Sequence, residues 1–130
     1  MEGTIMEYRL IVAGGRDFFK FKSVETEIDK IREHRHPNII IVTGMARGAD
    51  LMGLRYAQER GLIYERYPAD WARYGRPAGF IRNKAMADHS DMLLAFWDGE
   101  SKGTKNMIKT MLKHGKPVKI IRYTKESLKE

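Results

Sequence analysis

Short apolar runs alternate with segments of helical spacing from one end of this 130-residue chain to the other. "YRLIVAGG" (8–15) reads as a buried strand stopped by a glycine pair. "KSVETEIDKIREH" (22–34) places Val24, Ile28 and Ile31 on one helical stripe, with Ser23 as the expected N-cap. "NIIIVTG" (38–44) predicts a second strand and "ADLMGLRYAQERG" (49–61) a second helix. That helix carries Leu51, Leu54 and Ala57 on one face and Gly61 at C′. A third strand is predicted over 62–70, a third helix over 78–90, a fourth strand over 91–99 and a fourth helix over 104–115. The fifth strand spans 116–123.

Strands with no polar face, each followed by a helix, imply a parallel sheet covered on both sides. Five of them predict a small Rossmann-like, doubly wound α/β sheet, with helices on both faces. In such folds ligands bind beyond the carboxyl ends of the strands, where strand order reverses. The unusual residues fall at that rim. The opposite rim carries only ordinary connections: "HRHPN", "ERG", "DHS" and "KHGKP".

Four segments make up the predicted site. After the first strand, Gly14 and Gly15 permit close approach of backbone to a ligand, and Arg16, followed by Asp17, can fork onto phosphate. After the second come Thr43, Gly44, Arg47, Gly48 and Asp50; an N-cap role for Asp50 is the plainer alternative. After the third come Asp70, Trp71 and Tyr74, then Arg82 and Asn83. The two rings suit stacking on a base, although anchoring a long loop would also employ them. After the fourth come Asp98, Gly99, Ser101, Gly103 and Thr104, at the predicted start of a helix. Exposed amide protons and a positive dipole end there suit an anion, with simple capping by Ser101 or Thr104 as the alternative.

Composition narrows the class. Lys plus Arg is 24 against 17 Asp plus Glu, a formal net charge of +7. That balance attracts nucleotides or nucleic acid, but the excess is dispersed, as on a solvated surface. There is no cysteine, which excludes thiolate metal sites and disulfides and fits a reducing cytoplasm. The four histidines show no metal-ligand spacing, so no metal site is expected. No apolar run is long enough for a membrane span, and Met1 to Glu7 is no signal-peptide core. Met86, Met107 and Met111 suit either the core or the face of a homo-oligomer.

"VAGGRDF" (12–18), "TGMARGAD" (43–50), "PADWARYGRPAGFIRNKAM" (68–86) and "AFWDGESKGT" (95–104) together resemble the SLOG superfamily of Rossmann-like nucleotide-binding proteins, in its small YspA- or YpsA-related branch of bacteria and phages. The resemblance covers roughly Tyr8 to Tyr123, so residues 1–130 are expected to form one SLOG-type domain. It implies strand order 3-2-1-4-5, a crevice between strands one and four, and a nucleotide or ADP-ribose-like ligand, with Gly99 to Thr104 as the phosphate turn. The LOG-type phosphoribohydrolases of the superfamily read Pro-Gly-Gly-x-Gly-Thr-x-x-Glu at this turn. Here Met107 stands where the glutamate would be, and it can neither bear charge nor move a proton.

The expected function is therefore a sensor or ligand-holding module for a small-molecule nucleotide. The alternative is a hydrolase cleaving an N-glycosidic or phosphate bond with another carboxylate, for which Asp17, Asp50, Asp70 and Asp98 are the candidates. Nucleic-acid binding stands third: the chain is basic, but it lacks a helix-turn-helix and the aromatics are not interleaved along a basic face.

Overall fold

A computed structural model describes residues 7–129. The elements run β1 (Tyr8–Gly14), α1 (Phe21–His34), β2 (Ile39–Thr43), α2 (Ala49–Arg60), β3 (Tyr64–Arg66), α3 (Trp71–Tyr74), α4 (Ala78–His89), β4 (Met92–Trp97), α5 (Lys102–Lys113) and β5 (Val118–Arg122). A 3₁₀ turn, Ser127–Lys129, follows. The sheet is parallel throughout, in the order β3-β2-β1-β4-β5. This is the Rossmann-like α/β architecture that the alternating pattern implies.

The central strands carry no polar face because both of their faces are covered. Leu10, Val12, Ile41 and Leu94 point into one core with Val24, Ile28 and Ile31 of α1 and Tyr56 of α2. Ile11, Ala13, Leu93 and Ala95 point into the other, against Met86 of α4 and Met107, Ile108 and Met111 of α5. The three methionines are fully inside, so they present no surface to a partner.

Several expectations shift in detail. Ser23 is not the cap of α1: the helix starts at Phe21, after Lys20, and no side chain caps it. The buried face of α2 is Ala49, Gly53, Tyr56 and Ala57, with Leu51 and Leu54 only half-buried. A small-residue face brings the helix backbone close against β1, and Tyr56 reaches past it to donate to Asp29 at 2.6 Å. Gly61 does close α2 in the left-handed conformation, φ 66°. The third strand is only three residues long, since it is a sheet edge and Pro68 ends it. The segment between β3 and α4 contains the short helix α3, which Asp70 caps by accepting from the Arg73 amide at 3.1 Å.

Strand order reverses beside β1, since β2 lies on one side of it and β4 on the other. The carboxyl ends of β1 and β4 therefore diverge toward different helices, and a crevice opens between them.

Candidate functional site

The crevice holds a cleft of about 480 Å³, within the size range of small-molecule sites. Each wall comes from a different connection. The β1 loop supplies Gly14 to Asp17, the β2 turn and α2 supply Ala46 and Asp50, α3 and α4 supply Trp71, Arg82 and Asn83, and the β4 turn supplies Asp98, Ser101, Gly103 and Thr104. A smaller lobe of about 290 Å³ adjoins it, sharing Arg16, Ala46, Trp71 and Arg82 and adding Gly44, Met45 and Arg47.

Not every predicted site residue faces this space. Thr43 is buried, donating to the Asp50 carbonyl at 3.0 Å and accepting from the Met45 amide at 3.1 Å. Gly48 backs onto the β1 loop: at φ 81° it needs glycine, and a Cβ there would overlap the Gly15 carbonyl. Asp70 serves as the α3 cap, and Tyr74 and Gly99 lie outside the two lobes. The glycine pair also has an internal reason. The space a Cβ would take at Gly14 holds the Phe96 carbonyl, and at Gly15 it holds the Tyr123 hydroxyl.

Tyr123 fixes the β1 loop from the far edge of the sheet. Its hydroxyl donates to Asp17 at 2.7 Å, and its ring packs on Phe18, which in turn stacks on Phe96. Burial, and then the hydrogen bond to Asp17, push the tyrosine hydroxyl well above the ordinary phenol range.

The β4 turn is organised differently from the sequence expectation. The helix begins at Lys102 rather than 104, and Ser101 is its cap, its hydroxyl accepting from the Thr104 amide at 3.5 Å. Gly99 makes the turn at φ 87°. Asp98 folds back so that one carboxylate oxygen accepts from the amides of Glu100 and Ser101, both at 2.8 Å. Those bonds, the one from Ser101 foremost, hold its pKa below the usual carboxylate value. Three of the amides expected to cradle an anion thus already have acceptors, and an ionised carboxylate sits beside them.

Asp50 is the unusual group of the cleft. It is 4% exposed, in the first turn of α2 but past the cap position, which Gly48 occupies. It is not an N-cap; its carboxylate reaches back to accept from the Ala46 amide at 3.3 Å. Burial raises its pKa from 3.8 to about 6, against the pull of Arg82, the backbone amides and Arg16. Arg82, half-buried, donates to the Gly44 carbonyl and, at 3.4 Å, to that of Tyr67. Burial lowers its pKa, and Asp50 counters part of that shift. Its Nε donates to the Asn83 amide oxygen at 3.0 Å. Asn83 in turn donates to the Gly103 carbonyl at 3.2 Å and to Asn106 at 2.9 Å. One chain of polar contacts thus ties the β2 turn, α4 and α5 around the cleft.

Sequence reasoning missed Ala46, Phe80 and Met86 as lining residues and left Arg76 out of the site. Phe80 is 51% exposed, an apolar ring left in solvent beside the cleft, and only the fold reveals which way it points. Trp71, also 51% exposed, is not buried as a loop anchor. Met107 is buried and lines the floor, at the position where LOG-type hydrolases carry glutamate. Among the described residues no group of acidic or histidine side chains is placed to hold a metal, and no helix is long and apolar enough to cross a membrane.

Comparison with known proteins agrees with the geometry. The sequence model of a family described as YspA, cpYpsA-related SLOG matches residues 8–74. Gene 61 protein of Mycobacterium phage D29 is 34% identical over 119 residues, covering 85% of this chain and 93% of that protein. No solved structure matches.

Proposed function

The chain belongs to the YspA, cpYpsA-related SLOG family, and on that premise we propose that the cleft at the carboxyl ends of β1 and β4 binds a nucleotide or nucleotide-derived ligand, of the size of a mononucleotide or ADP-ribose. The protein acts as a sensor or ligand-holding module. The family carries a nucleotide-related function; the reading of this chain rests on the composition of the cleft. Arg16, Arg76 and Arg82 face it, and among the described residues none of them is paired with a carboxylate. The exposed rings of Trp71 and Phe80 stand at the same cleft. Guanidinium groups without a carboxylate partner, beside solvent-facing rings, suit a ligand with a phosphate and a base. Calorimetry against ADP-ribose, AMP and adenosine tests this. Saturable micromolar heat is expected, weakened by Arg82→Ala; no heat from any of the three would defeat the reading.

A hydrolytic role is favoured by one observation. A buried carboxyl with a pKa of about 6 is matched to proton transfer near neutral pH. In that reading Asp50 takes the proton of the attacking water, a task that Met107 cannot perform. Product chromatography after incubation with the bound nucleotide decides it. Turnover that Asp50→Asn abolishes while binding persists supports hydrolysis; binding without turnover leaves the holding role.

A further inference from the structure

Resting on the nucleotide reading, we infer that the ligand's phosphate docks in the side lobe between Arg16, Arg47 and Arg82, and not on the turn that begins α5. Two independent observations lead there. The first is exclusion. The β4 turn answers three of its own amides: Asp98 takes those of Glu100 and Ser101, and the Ser101 hydroxyl takes that of Thr104, which leaves only those of Lys102 and Gly103 for a ligand. A phosphate approaching this helix start meets an ionised carboxylate where the sequence alone predicts bare N–H groups.

The second is attraction. The side lobe gathers three arginines and no carboxylate: Arg16, Arg47 and Arg82 line it with Gly44, Met45 and Ala46. None of the three is paired with an acidic side chain among the described residues. Elsewhere Arg9 is held by Glu65, Arg55 by Glu59 and Arg60 by Glu25. Arg47 only lies against the Phe19 ring, 5.8 Å from its centroid. Arg82 gives its Nε to Asn83 and one Nη to backbone carbonyls, so its other Nη and the guanidinium groups of Arg16 and Arg47 are what remain for phosphate oxygens. The main lobe is mixed, with Asp17, Asp50 and Asp98 beside Arg16, Arg76 and Arg82. It suits hydroxyl donors and a base. Trp71 borders both lobes, where a nucleoside would pass from one to the other.

The ligand is thereby assigned a direction: phosphate toward the β2 turn, sugar hydroxyls toward the carboxylates. Its chemical class is a nucleoside monophosphate, or a diphosphate whose charged end reaches the side lobe.

The test compares AMP with adenosine by calorimetry on the wild type and on Arg47→Ala, with circular dichroism confirming that the variant folds. AMP should bind the wild type about tenfold more tightly than adenosine, and Arg47→Ala should remove most of that preference while leaving adenosine unchanged. Amide chemical shifts locate the group directly. Differences between the AMP and adenosine complexes should concentrate at Arg16 and residues 45–48. Differences centred on residues 101–104, or a preference for AMP that survives Arg47→Ala, would overturn the assignment and leave the nucleotide reading standing. No binding of either compound to the wild type would overturn both.

Discussion

The two ends of the sheet are built from the same kinds of residue and use them in opposite ways. At the amino-end rim, charge is settled locally. Glu27 takes Lys119 at 2.8 Å and Lys30 at 3.6 Å, and Asp88 takes His114 at 2.7 Å and Lys84 at 3.0 Å. A hollow of about 370 Å³ exists there too, lined by Lys30, His34, Arg35 and Lys119, but two of its cations already share a carboxylate. At the carboxyl-end rim, Arg16, Arg76 and Arg82 face space, and Asp50 is carried inside at a cost. Concavity alone therefore does not distinguish the two rims; the arginines around the carboxyl-end cleft, without carboxylate partners, do more to set it apart.

Substitution of comparable residues at the two rims makes the contrast measurable. The largest effect is expected from glycine. Gly48 and Gly115 share a left-handed backbone, φ 81° and 67°. A Cβ at Gly48 would run into the β1 loop, whereas nothing lies within 4 Å at Gly115. Gly48→Val should cost about 3 kcal/mol or more in urea unfolding, and Gly115→Ala about 1 kcal/mol. Equal costs would mean that the loops at the cleft are no tighter than an ordinary turn.

Next in size is Asp50, with the opposite sign. Its pKa is raised from 3.8 to about 6, so the folded state binds a proton more readily than the unfolded one. Stability from this group is fully present below about pH 4 and is lost as pH rises through about 6. Asp50→Asn should stabilise the protein by up to about 3 kcal/mol at pH 7.5 and by almost nothing at pH 3.5. Denaturant midpoints across that pH range would show the gap opening. A variant less stable than wild type at pH 7.5 would mean that the carboxylate is a structural asset rather than a tolerated expense.

Ser101→Ala removes the α5 cap and should cost about 1 kcal/mol by the same measurement. The smallest shift is expected from His114→Gln at the amino-end rim. Its 2.7 Å contact with Asp88 is exposed, so the thermal midpoint of the variant should stay close to that of the wild type at low and at high ionic strength. A large shift there would erase the distinction between the rims.

The sheet was readable because buried parallel strands leave an unmistakable mark: "LIVA", "IIIV" and "LLAFW" have no polar face to confuse. The order of the strands came with the family resemblance rather than from periodicity. The helix α3 was not readable. Four residues between Pro68 and Gly75 carry no periodic signal, and it exists because Asp70 happens to cap it. The rim that holds the cleft was visible from where glycine, arginine and aspartate cluster. The internal use of those residues was not. Gly15 making way for Tyr123, and Asp98 turning onto its own amides, are contacts between groups whose meeting depends on the folded chain. In the second case a local hint was present, since Asp-Gly-x-Ser is a sequence in which aspartate readily bonds amides two and three residues on.

The bond between Tyr123 and Asp17 joins positions 106 residues apart, the first loop of the chain to the end of its last strand. On the ribosome, the opening loop emerges long before the hydroxyl that will hold it. A nascent chain stalled before β5 has every glycine and arginine of the cleft yet lacks the brace that holds the β1 loop. The brace of the β1 loop thus arrives only with β5, after the rest of the cleft's lining has been made, and a product shortened before β5 lacks it.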